Sequence, residues 1–197
     1  MPQELQIILD KAAIVAVDLQ QGIATPQVVP NSAKDVVENT TKLLDVFRKN
    51  NMPVFLVHAT PSPDLKDALH PVSETSFQMR SFDPAFSEFM PELNIQPNDF
   101  IIAKHQWGAF YGTELDLQLW RRRIDTIVLC GISTNIGVES TARFAYELGY
   151  NQILVEDAMS AFVKEGHEAS IKYVFPRLGL IRTTNEVLTA INSAKSD

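Results

Sequence analysis

The sequence predicts an α/β protein: a three-layer α/β/α domain around a six-stranded, mostly parallel sheet. Three observations carry that prediction. Short, almost wholly apolar runs recur along the chain, as strands buried on both faces require. Amphipathic helical patterns separate them, and such alternation implies right-handed crossovers with helices on both faces of the sheet. The chain has 197 residues, 45% of them hydrophobic, which suits one sizeable core and a single domain over 1–197.

Residues 12–17, AAIVAV, read as the first strand. Asn31 and Ser32 are N-cap types ahead of a helix in which Val36, Val37, Thr40, Leu43, Leu44 and Phe47 share one stripe. Residues 53–57 are the second strand. Residues 60–83 show no clean period and carry prolines at 61, 63 and 71, so a long loop or lid of the functional kind is expected. A short helix follows Pro84. Residues 100–103 form the third strand, 112–122 a helix and 126–132, TIVLCGI, the fourth strand. After a tight turn, Val138, Thr141, Ala142, Ala145 and Leu148 recur at helical spacing, with Gly149 in the C-cap place. A fifth strand at 152–155, a helix at 165–175, a sixth strand at 180–183 and a final helix at 186–194 complete the order. No repeat, low-complexity stretch or linker interrupts it.

The net charge of −7 argues against nucleic acid or an anionic membrane as partner. The run Arg121-Arg122-Arg123 closes a predicted helix, where cations complement the macrodipole. A lone cysteine excludes an internal disulfide and suits a reducing cytoplasm. The opening MPQELQIILDKAAIVAVD has no basic leader region, and no apolar run approaches a membrane span. A soluble cytoplasmic protein is the expectation.

Chemistry-bearing residues gather at strand ends. Asp18 directly follows the first strand, where partial desolvation would raise its pKa and suit it to proton transfer. The bland alternative is a turn or capping aspartate. Lys104 ends the third strand, a fixed cation at the same edge or an ordinary surface lysine. Cys130 lies within an apolar run and reads as inert packing. The four histidines have no metal-ligand spacing, so neither metal nor cofactor is expected. His105 draws notice as the neighbour of Lys104, with a solvent-facing ring the simpler reading. Arg80 is a candidate grip for a substrate carboxylate, or a loop arginine in water. Asp157 reads as structural, bonding turn backbone. Phe82, Trp107 and Phe110 could wall an apolar pocket or simply belong to the core.

Three strings together resemble the isochorismatase-like, or cysteine hydrolase, superfamily, and the likeness runs from Ala12 to about Leu188. Asp18 and Gln20 match its D-x-Q. Lys104 with Ala109, Phe110, Thr113 and Leu115 matches the string after its lysine. Gly131, Thr134, Val138, Thr141 and Ala142 match its strand–turn–helix signature. The resemblance implies a Rossmann-like hydrolase fold, dimers or larger assemblies, and Asp18 and Lys104 in catalysis. It also implies a cis peptide at Ile132–Ser133, aiming backbone N–H groups at a substrate oxygen. Gly137 stands where amide-cleaving members carry the nucleophilic cysteine. Isochorismatases also have glycine there and hydrolyse a vinyl ether without a nucleophile. Their usual tyrosine, histidine and glutamine are replaced by Ser133, Asn135 and Thr60. Gln20, Thr60, Arg80, Phe110, Ile132, Ser133 and Ile136 are the expected substrate-binding residues. Three functions stay open: general-acid hydrolysis of a small carboxylated vinyl ether, a binding protein without catalysis, and amide hydrolysis by Asp18-activated water.

Overall fold

The computed structural model describes residues 5–75, 81 and 83–194. Arg80 and Phe82 lie outside these residues. Six strands are present: β1 (Ala12–Val17), β2 (Val54–Ala59), β3 (Phe100–Lys104), β4 (Thr126–Ile132), β5 (Asn151–Ser160) and β6 (Leu180–Arg182). Their order in the sheet is β3-β2-β1-β4-β5-β6, and every pairing is parallel. This is a doubly wound order, reversing direction between β1 and β4, so the crevice for a ligand falls at the carboxyl ends of those strands.

Helices cover both faces. The helix α1 (Gln21–Ala24) is a single turn. The helix α2 (Ala33–Lys49) buries the predicted stripe from Val36 to Phe47. With α6 (Thr184–Ser193) it covers one face, where Leu43, Phe47, Val187 and Ile191 join Ile14, Leu56 and Val128 in one cluster. The helices α3 (Leu115–Arg121) and α4 (Glu139–Glu147) cover the other, packing Leu119, Ala142 and Ala145 on Val15, Val57 and Leu129. The helix α5 (Lys164–Ala169) follows β5.

Several expected boundaries move for local reasons. Ser32 alone caps α2, accepting from Asp35 N at 3.1 Å. Asn31 instead donates to the Glu156 and Met159 carbonyls of β5. The helix expected from 112 starts at Leu115, because Gly112 turns through a φ of +68° and Thr113 Oγ1 accepts from Leu115 N. Strand β5 runs on to Ser160 through a register shift against β4, a bulge that alternation alone does not reveal. Asp157 therefore lies within β5, where its Oδ1 accepts from the backbone N and hydroxyl of Thr184 at 2.7 and 2.8 Å. The helix expected over 165–175 widens into a π turn at Ser170–Val174 and ends as a 3₁₀ turn. The last helix begins earlier than expected, with Thr183 and Glu186 forming a capping box. Leu148 is half exposed rather than part of the buried stripe, and Gly149 adopts the predicted left-handed cap at φ +87°.

Gly131 has a positional requirement of its own. Its φ is +128°, and a Cβ there would lie 2.0 Å from the Val17 carbonyl oxygen. Only glycine lets β1 and β4 approach so closely at the end where the site is built.

Candidate active site at the carboxyl edge of the sheet

Asp18 leaves β1 in the left-handed region, with a φ of 56°. Its Oδ2 accepts from Lys104 Nζ at 2.8 Å, and both side chains are buried. Lys104 also donates to the carbonyls of Gln106 at 3.1 Å and Trp107 at 2.7 Å. An ammonium carries three protons, so these three acceptors use all of them. Asp18 Oδ1 is buried without a hydrogen-bond partner among the described residues. Burial pushes the Asp18 carboxyl up from 3.8 to about 6, and Lys104 opposes that rise. The site therefore holds a carboxyl group raised to about 6, with one oxygen tied to lysine and the other buried without a partner among the described residues.

The turn after β4 closes the site from the opposite side. The Ile132–Ser133 peptide bond is cis. Residues Thr134–Val138 form a π turn that wraps around the Ser133 carbonyl, which accepts from Ile136 N and Val138 N. Gly137 is packed against the pair: a Cβ there would come within 2.8 Å of Asp18 Oδ2 and 3.3 Å of the Trp107 carbonyl. Thr141 Oγ1 fixes this arrangement, donating to the Gly137 carbonyl at 2.7 Å and accepting from Ala109 N at 3.1 Å.

Residues 12–186 match the family model described as Isochorismatase domain. The chain belongs to the isochorismatase family. It is 50% identical over 194 residues to the uncharacterized isochorismatase family protein YwoC of Bacillus subtilis, covering 97% of this chain and 100% of that one. A probable isochorismatase of Pseudomonas chlororaphis is 27% identical over 186 residues, covering 91% of this chain and 86% of that one. Among solved structures, an isochorismatase family protein from Burkholderia thailandensis superposes with a TM-score of 0.91 at 44% identity, covering 95% of this chain and 98% of that one. A hydrolase of this family is thus the general class.

Within this isochorismatase-family site, the predicted residues divide. Asp18, Lys104, Gly137, Ile132 and Ser133 converge at one edge. Ser133 is buried and donates to Asn135 Oδ1 at 2.9 Å, and Ile136 is half-buried in the same turn. Thr60 is half-buried at the end of β2, its N–H donating to the Lys104 carbonyl. Gln20 is fully buried and its amide is spent on backbone: it donates to the Ala59 and Phe86 carbonyls and accepts from Ala59 N. It braces the end of β2 rather than facing a ligand. Phe110 likewise lies in the core, tilted against Tyr150 at 5.8 Å, and the Trp107 indole is exposed. Sequence reasoning missed the role of the Trp107 and Gln106 carbonyls, since a backbone acceptor leaves no trace in residue type. It also missed Thr141 as the bridge to Gly137, although a buried threonine four residues along a helix is a usual carrier of such a bond.

Other polar candidates fall elsewhere. His105 Nδ1 lies 3.1 Å from Asp67 Oδ2 on the surface. Cys130 is buried on the α2 side, and burial pushes its thiol up to about 12. Among the described residues no three His, Cys, Asp or Glu side chains are grouped to hold a metal ion, and no helix is long and apolar enough to cross a membrane. A cleft of about 510 Å³ lies at the opposite edge, lined by Arg48, Gln96, Phe100 and Arg122 among others at the amino ends of β2 and β3. It is remote from Asp18 and plays no part in the chemistry considered for it.

Proposed function

We propose that this protein hydrolyses a small carboxylated vinyl ether, isochorismate or a relative, by general acid catalysis without a covalent intermediate. The observation that carries this reading is the packing of Gly137 against the Asp18–Lys104 pair, with Asp18 Oδ2 at 2.8 Å from where a Cβ would be. A cysteine there would have to displace the acid on which it depends, whereas the carboxyl group itself is intact and raised to about 6. The Asp18 proton, carried on the unpartnered Oδ1, goes to the terminal vinyl carbon. The ether oxygen stabilises the resulting oxocarbenium ion, and water adds to it. Collapse of the hemiketal releases pyruvate and the ring alcohol, and the proton lost by the water returns to Asp18. Lys104 acts through Oδ2, fixing the carboxyl group and the 106–107 backbone.

The matched relative described as a probable isochorismatase supports this choice of substrate class. Substrate contact is assigned to Ile132, Ser133, Ile136, Thr60 and Arg80. Assembly into dimers or larger and a cytoplasmic setting complete the proposal, and sedimentation in solution checks the former.

The test is direct. Wild-type protein incubated with isochorismate should release pyruvate, and Asp18→Asn should lower the rate by about 10²–10⁴-fold, the range of a general acid. No pyruvate from the wild type, or equal rates from Asp18→Asn, would sink this reading. Ligand binding without turnover would instead establish the binding protein, and release of ammonia from a panel of small amides would establish the amidase.

A further inference from the structure

Helix α5 grips the active-site turn from outside, and it does so with residues that the catalytic reading does not use. Thr134 follows the cis bond directly and is fully buried. Its Oγ1 lies 2.8 Å from Nδ1 of His167, itself 6% exposed. Among the described residues the hydroxyl has no other hydrogen-bond partner. One residue earlier, Gly166 lies so close to Asn135 that a Cβ would meet its Nδ2 at 2.6 Å. Ser170, just beyond α5, donates to Glu139 Oε2 at 2.6 Å, at the point where the π turn becomes α4. Positions 166, 167 and 170 share one helical face, so one surface meets the turn at residues 134 and 135 and the start of α4 at 139.

We propose that His167 is a positioning residue for the active site, holding the 133–137 turn through Thr134 in the shape that faces Asp18. Its catalytic arm rests on the vinyl-ether reading, because only a reaction shows what the turn's position is worth. Its structural arm does not. The His167–Thr134 bond is the one side-chain hydrogen bond that Thr134 makes among the described residues. Losing a buried hydrogen bond strands its partner, so either side of the pair should have the same effect.

Amide hydrogen exchange and kinetics on the full chain test this together. In His167→Ala and in Thr134→Val, exchange at residues 134–138 should rise about tenfold, the scale of one buried hydrogen bond. Amides of β1 and β2 should keep their protection. The double variant should exchange no faster than the faster single, and Thr134→Ser should restore protection. With isochorismate as probe, kcat should fall about tenfold to a hundredfold from misplacement of the turn. The pH at which activity is half lost should stay where Asp18 sets it. Unchanged exchange at 134–138, additive singles, or Thr134→Ser behaving like Thr134→Val would overturn the proposal. Should His167→Ala loosen every strand, Thr134→Val decides alone. Wild-type protein that releases no pyruvate removes the vinyl-ether reading, and the exchange result still decides the role of His167.

Discussion

Asp18 and Gly137 define each other. A carboxyl group raised to about 6 is half protonated near that pH, and the proposed step needs the protonated form. The kcat/KM for a vinyl-ether substrate should therefore hold below about pH 6 and fall about tenfold per unit above it, as a pH–rate profile would show. A profile rising with pH across that range would indicate a base instead. Gly137→Ala places a methyl group 2.8 Å from Asp18 Oδ2 and 3.3 Å from the Trp107 carbonyl, both of which hold Lys104. We expect kcat to drop about a hundredfold while the melting temperature moves little, since the damage is to alignment. Gly137→Cys should gain a thiol without gaining amide hydrolysis, measured by ammonia release. At this scale the sequence was legible in part. Asp18 and Lys104 stood out because each sits at the end of a predicted strand and its type carries chemistry, whereas Gly137 stood out only through the resemblance to the family. Gln20 and Phe110 looked equally eligible, yet the first is consumed by backbone of β2 and the second by the core. Residue type says what a side chain is able to bond, and packing decides what it does bond.

Elements were legible wherever burial is uniform. Strands β1 and β4 are wholly or almost wholly buried along their length, so their apolar runs start and stop with the strand. The stripe of α2 is likewise a direct imprint of one buried face. Strand β5 was half visible because Glu156 and Asp157 break its apolar run, while the bulge keeps it paired with β4. The reason for that aspartate is tertiary. Asp157 takes two hydrogen bonds from Thr184 in the first turn of α6, where a carboxylate also complements the helix dipole. Asp157→Ala should cost about 1–3 kcal/mol, as for loss of a hydrogen-bonded charge, read from urea unfolding with an unchanged m-value. Asp157→Asn should recover part of it. The same carboxylate takes no part in the proposed reaction, so its removal tests stability apart from chemistry.

For the whole molecule, the strand order puts the reversal point between β1 and β4, and the site forms where their carboxyl ends diverge. This explains why positions as far apart as 18, 104 and 137 meet, and why the match to the family model spans nearly the whole chain, from 12 to 186. The likeness to the Burkholderia thailandensis structure, at a TM-score of 0.91, extends the same architecture to a relative 44% identical. Substrate choice was not legible at this scale, because the fold fixes where Asp18 and Lys104 meet and leaves the side chains around them to local sequence.

The ion pair at the centre has a thermodynamic consequence. With Asp18 ionised, it and Lys104 cancel, and the pair offers an incoming anion no net attraction. Once Asp18 takes up a proton, the ammonium is left uncompensated and the pair becomes cationic. By linkage, a carboxylate ligand favours the protonated state, so in the proposed reaction a bound substrate would itself load the proton its double bond takes up. Binding of a small dicarboxylic acid near pH 7 should thus draw protons from solution. Calorimetry in two buffers of different ionisation enthalpy would measure the uptake, expected at about half a proton or more per site, and Asp18→Asn should abolish it.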